Sequence, residues 1–159
     1  MAGYFFDSSA LVKLYHPETG TLAVDQIANT AGNLIRISRL TIAELTSAFA
    51  IKVRTQSISR EDADAFLRQF RRDITGGKLE VFSIGEPEFT AAESLVERYA
   101  FDSRLRALDS LQLAVASELR NQNLVDQFVA GDAVLCEVAR LEGFSVINLE
   151  HAHAGRTGS

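Results

Sequence analysis

The chain has 159 residues, 47% of them hydrophobic, which is enough apolar material for one domain around one core and too much for a disordered chain. Its 21 acidic and 16 basic residues leave a formal net charge of −5, which excludes attachment to nucleic acid by bulk positive charge and requires any grip on a polyanion to be local. The single cysteine, Cys136, excludes an internal disulfide and a paired-cysteine metal site, and points to a reducing compartment.

Apolar runs such as residues 4–6 are far too short to cross a membrane, and no charged start leads into a longer one, so a cytoplasmic protein without a membrane partner is expected. The first element is a short aromatic strand, 4–6, followed by a helix over 8–15 that His16-Pro17-Glu18-Thr19-Gly20 breaks. A helix over 21–31, apolar at Leu22, Val24 and Ile27, leads through Gly32-Asn33 to a strand at 34–37. Leu40, Ile42, Leu45, Phe49 and Val53 recur near helical spacing over 40–54. Ser59 followed by Asp62 predicts the start of a helix over 60–74, apolar at Ala63, Phe66, Leu67 and Phe70 and stopped by Gly76-Gly77. A strand at 79–84 precedes a helix over 86–99 with Pro87 in its first turn, where a missing N–H does little harm. A helix over 107–120, a strand at 125–129, a helix over 133–141 ending at Gly143 and a strand at 144–147 complete the pattern.

About five short strands alternating with helices predict an α/β fold: a three-layer α/β/α sandwich on a central parallel sheet. One domain is expected over 1–150, with a flexible C-terminal tail, "HAHAGRTGS", over 151–159. His151 and His153 in that tail have no third ligand in view and carry no metal expectation.

Ligands of such a sheet gather beyond the carboxyl ends of its strands. Asp7 follows the first strand, Glu44 and Asp109 fall in the first turns of helices, and Asp132 follows the strand at 125–129. Each has a plain alternative, since a carboxylate near a helix start is favoured by about 0.3–1 kcal/mol through the dipole and the unpaired N–H groups. Together they map to one rim, and the apolar neighbours Phe5, Phe6, Leu45, Leu108, Leu111, Val129 and Val134 suggest that they emerge from buried elements. Converging carboxylates repel one another and rise in pKa, and a cation relieves this. An all-oxygen set without a soft ligand suits Mg²⁺ or Mn²⁺ rather than zinc, and phosphodiester hydrolysis fits such a site. Neither G-x-x-x-x-G-K-[ST] nor G-x-G-x-x-G is present, and His16 has no triad partners in view.

With these residues in place, the chain resembles the PIN-domain ribonucleases, and more closely the VapC toxins of bacterial toxin–antitoxin pairs. The similarity runs from "FFDSSALVKLYHPETGT" through "LTIAEL" and "ALDSLQLAVA" to "FVAGDAVLCEVARLEGFSVINL". It implies a PIN-like nuclease domain in which Asp7, Glu44, Asp109 and Asp132 are catalytic metal ligands, supported by the small polar residue Ser9, with Ser8 adjacent. It further implies an RNA substrate cut with Mg²⁺ or Mn²⁺, a cognate VapB-type antitoxin seated on helices around Phe66, Leu67 and Phe70, and a homodimer. Many relatives carry threonine two residues before the fourth acid, where this chain has Ala130; Asp126, the competing acid, opens its strand and is expected at the opposite end of the sheet.

The basic residues available to grip RNA are Arg36, Arg39, Lys52, Arg54, Arg68, Arg71 and Arg72. Two other readings stand beside the nuclease. A PIN-like domain without activity would only bind a partner. A Mg²⁺-dependent phosphatase would use Asp7 as nucleophile, but such sites want a second acid two residues on, where this chain has Ser9.

Overall fold

The structure, a computed structural model, describes residues 1–151. Five parallel strands form one sheet in the order β3-β2-β1-β4-β5, with β1 at Gly3–Phe6, β2 at Leu34–Ser38, β3 at Leu79–Phe82, β4 at Gln127–Ala130 and β5 at Ser145–Asn148. The helices are α1 (Ser8–Tyr15), α2 (Thr21–Asn29), α3 (Leu40–Arg54), α4 (Arg60–Thr75), α5 (Glu86–Tyr99), α6 (Ala107–Asn121) and α7 (Ala133–Leu141), with a 3-10 turn at Leu149–His151. The flexible tail expected over 151–159 lies, beyond His151, outside the described residues. Among the described residues no helix is long and apolar enough to cross a membrane.

Alternation along β1 builds the layers. Phe5 points to one face, where its ring stacks on Phe128 at 5.6 Å and joins a core made with α5, α6 and α7. Phe6 points to the other, into a second core with Ile35, Ile37, Val129 and the helices α1 to α4. Strands buried on both faces explain why they read as continuous apolar runs. The result is the expected α/β/α sandwich.

Element ends differ from the periodicity where a cap or clamp takes over. The start of α4 follows the capping-box pattern: Asp62 N donates to Ser59 Oγ at 3.0 Å and Ser59 N to Asp62 Oδ2 at 3.3 Å. Phe144, expected in β5, instead closes α7, its N–H donating to Ala139 O across the positive-φ Gly143. β4 begins two residues late because Asp126 is bound to the start of β1: its N–H donates to Gly3 O and its carboxylate accepts from Gly3 N, each at 2.7 Å. Asp126 therefore lies at the opposite sheet end from Asp7.

The strand order reverses at β1, since β2 lies on one side of it and β4 on the other. The carboxyl ends of β1 and β4 flank this switch point, the place where open α/β sheets bind ligands. Asp7 N donates to Val129 O at 3.0 Å, so the β1–β4 ladder holds right up to that rim.

Gly3 has no room for a side chain, because a Cβ would land on the Leu124 carbonyl, which also accepts from Arg36 Nη1. Gly3→Ala is expected to lower stability by about 1–3 kcal/mol, as overpacking does. A urea melt of the variant checks this, and an unchanged midpoint would contradict it.

Candidate active site

Asp7 leaves β1 and becomes the N-cap of α1. Its Oδ2 accepts Ser9 N at 3.1 Å and Ser9 Oγ at 2.6 Å. Ser9 Oγ in turn accepts Gly131 N at 2.9 Å, which pins the loop after β4 to the residue that holds Asp7. Ser9 is thus a hydrogen-bonding support.

Glu44 enters from α3, on the β2 side of the switch point. Gln112 Nε2 donates to its Oε1 at 2.5 Å and also to Thr41 Oγ1 at 2.9 Å, while Gln112 Oε1 accepts from Ser38 Oγ at 2.7 Å. Gln112, Ser38 and Thr41 are each 0% exposed, so this is a buried polar network with its partners satisfied. Asp109 sits in the first turn of α6 and accepts from Arg106, from the backbone N at 3.4 Å and from Nε at 3.2 Å. Asp132 caps α7, accepting Leu135 N at 2.9 Å.

The plain capping role and the expected convergence therefore coexist. Asp7, Glu44 and Asp109 come close enough to feel one another's charge. Burial pushes the Asp7 carboxyl above its ordinary value, and the Asp109 charge adds to this against the Ser9 hydrogen bonds. Glu44 is likewise raised by burial, then by Asp7 and Asp109, with Gln112 opposing. Asp132 stands apart from this trio, lining a cleft beside Arg106. Among the described residues no group of three or more His, Cys, Asp or Glu side chains is drawn in tightly enough to hold a metal as it stands. Each carboxylate is instead turned toward a protein donor. The donor set, carboxylate oxygens with excess negative charge, fits a hard divalent cation.

Sequence reasoning missed Gln112, Ser38, Thr41 and Arg106. The signal for Gln112 was present: it follows Asp109 by three residues and shares its helix face. The basic residues also need correction. Arg36 is buried, with Nε 2.8 Å from Glu80 and Nη1 on Leu124 O, so it holds strand ends and does not face a substrate. Lys52 is tied to Glu18 at 3.2 Å. Leu108, expected to be buried beside Asp109, is exposed. Cys136 is buried, with its thiol pushed up to about 11 by desolvation, which makes it no nucleophile.

Two expectations follow. Folding raises the Asp7 and Glu44 carboxyls above their ordinary 3.8 and 4.5, so the stability they contribute is full below those values and is lost as pH climbs through the raised ones. In chelator at pH 7, Asp7→Asn, uncharged and an equally good N-cap, is expected to melt above the unaltered chain, with the gap narrowing toward pH 4. Thermal melts across that range check it, and a gap that does not change with pH would refute it. Gln112→Leu strands Glu44, Thr41 and Ser38 and is expected to lower stability by about 2 kcal/mol or more, measured by urea unfolding.

The family profile described as the PIN domain matches residues 4–141. Similar solved structures include Mycobacterium tuberculosis VapC20, described as a sarcin-ricin loop cleaving toxin, with 14% identity, TM-score 0.65 and coverage of 91% of this chain and 98% of that one. FitAcB from Neisseria gonorrhoeae shares 16% identity at TM-score 0.60, covering 93% and 99%. VapBC2 from Rickettsia felis, bound to a promoter DNA fragment, shares 19% at TM-score 0.57, covering 92% and 98%. At these identities the likeness speaks for the fold. No curated protein sequence matches the chain. With the profile reaching from β1 through α7 and taking in the switch point and the acids around it, the chain belongs to the PIN-domain family.

Proposed function

We propose that this PIN-domain protein is a Mg²⁺- or Mn²⁺-dependent endoribonuclease, the toxin of a VapBC-type pair. The observation that carries the reading is the charge-coupled trio Asp7, Glu44 and Asp109 at the switch point, with Asp132 beside Arg106 in the neighbouring cleft. These carboxylates would hold the cation. When bound, a divalent cation supplies a Lewis acid for phosphate oxygen and a water of lowered pKa. The chain's own residues do the rest. Ser9 fixes the Asp7 carboxylate and, through Gly131 N, the loop leading to Asp132. Gln112 fixes Glu44, so Asp7 and Glu44 are both held at the rim by neighbouring donors. Arg106 offers Asp109 a countercharge until substrate and cation arrive.

The similar structures described as toxin–antitoxin complexes support a VapB-type antitoxin as partner. A groove of about 320 Å³ between α3 and α4, lined by Phe49, Val53 and Leu67 among others, is where an antitoxin helix would lie. A homodimer and a cytoplasmic setting complete the proposal.

The purified chain is expected to cleave single-stranded RNA with Mg²⁺ or Mn²⁺ and not with chelator. Asp7→Asn should lower the rate by about a hundredfold or more, the effect of several kcal/mol of lost transition-state stabilisation. Cleavage that survives both chelator and Asp7→Asn would overturn the assignment.

A further inference from the structure

The acids explain how a phosphodiester is cut and leave open how an acidic protein holds RNA. The α5–α6 connection, residues 100–106, borders an open cleft of about 670 Å³ whose walls include Arg104, Arg106, Asp132 and Val134. The connection is anchored. Leu105 is buried in the core, and Ser103 donates to Tyr99 O through both N (2.9 Å) and Oγ (3.0 Å). With Leu105 turned inward, the residues on either side of it, Arg104 and Arg106, are exposed. Arg106 reaches Asp109 through Nε at 3.2 Å while its side chain stays 76% exposed, so one guanidinium touches both an acid of the site and solvent. Phe101, in the same connection, is 89% exposed, an aromatic ring with nothing packed on most of its surface. The connection carries one acid, Asp102, against the two arginines.

We infer that this connection is the single-strand RNA grip of the site: Arg104 and Arg106 contact backbone phosphates beside the scissile one, and Phe101 stacks on an adjacent base. The inference rests on the nuclease reading and adds the residues that bind substrate. Planar guanidinium groups pair with phosphate through two parallel N–H donors. Aromatic platforms next to cationic side chains are how proteins hold single strands without reading sequence. The anchored backbone means that little ordering accompanies binding.

The test is fluorescence anisotropy with a labelled, mixed-sequence oligoribonucleotide, on an Asp7→Asn parent so that RNA stays intact, in Mg²⁺ and at several salt concentrations. Arg104→Ala and Phe101→Ala are each expected to raise Kd about fivefold or more. Arg104→Ala and Arg106→Ala should each flatten the slope of log K against log salt by about 0.7, one phosphate's worth for a single strand. Phe101→Ala should leave the slope alone, and Arg71→Ala, on the opposite helical layer, should change neither quantity. Arg104 and Phe101 are exposed, so these variants should keep the parent's melting midpoint. The inference falls if the Arg104→Ala/Arg106→Ala double variant keeps the parent's Kd and slope, or if Arg71→Ala weakens binding as much. A parent that binds no RNA, together with an unaltered chain that cleaves none, would overturn the nuclease reading itself. An RNA-binding parent with unaffected variants sinks only the grip.

Discussion

Asp7 is a carboxylate 3% exposed at the end of a sheet, and the rest of the rim is arranged around that buried charge. Its backbone N–H is held by Val129 O, its carboxylate by Ser9, and Ser9 by the amide of Gly131. The strand that delivers it is packed on both faces, Phe5 on Phe128 and Phe6 among the residues of the other core, so it has no freedom to retreat toward water. Two hydrogen bonds from Ser9 offset only part of the desolvation, and Asp109 works against them. The desolvation left uncompensated at that point is what the proposed cation would relieve.

Capping and the proposed ligation would use the same geometry. Asp7 and Asp132 are N-caps, and Asp109 occupies the third position of α6, where it accepts from the backbone of Arg106. A carboxylate that caps a helix is aimed by backbone that cannot rotate away, and capping engages a lone pair or two while leaving others. The helix starts therefore preorganise the acids, and the sheet's reversal of strand order at β1 brings those starts to one rim. Glu44 is the exception. It lies beyond the first turn of α3 and has no cap to hold it, and Gln112 supplies from the neighbouring helix what a cap would have supplied locally.

That difference separates what was legible in the sequence from what was not. Helical periodicity, glycine and proline breaks and acids placed after strands are local signals, and they led to the sandwich and to Asp7, Glu44, Asp109 and Asp132. The network of Gln112 with Ser38 and Thr41 joins α6 to β2 across more than seventy positions, and only the strand order shows that these elements meet. Arg36 failed for the same reason. On the sequence it is a basic residue within an expected strand; in the fold it pairs with Phe5, and its guanidinium spans to Glu80 and Leu124 O. Arginine is mostly exposed and is buried almost only when paired, and the partners that bury Arg36, Glu80 and Leu124 O, are far from it in sequence. Leu108 misled in the opposite way, an apolar residue left on the surface beside Asp109.

The charge balance gives the site its logic of order. With a formal charge of −5 overall and three coupled carboxylates at the rim, a phosphate approaching the bare site meets repulsion at close range, where salt screens least. Arg106 meets one acid and faces solvent, which neutralises part of that field without occupying the space between the acids. A divalent ion bound there, as proposed, would reverse the local sign and compete with Arg106 for Asp109. Arg106, exposed over most of its side chain, would then be free to meet a phosphate's remaining charge. On that reading cation and substrate would favour each other through Arg106, and a positive side chain at the cap of α6 is compatible with a site proposed to hold a positive ion.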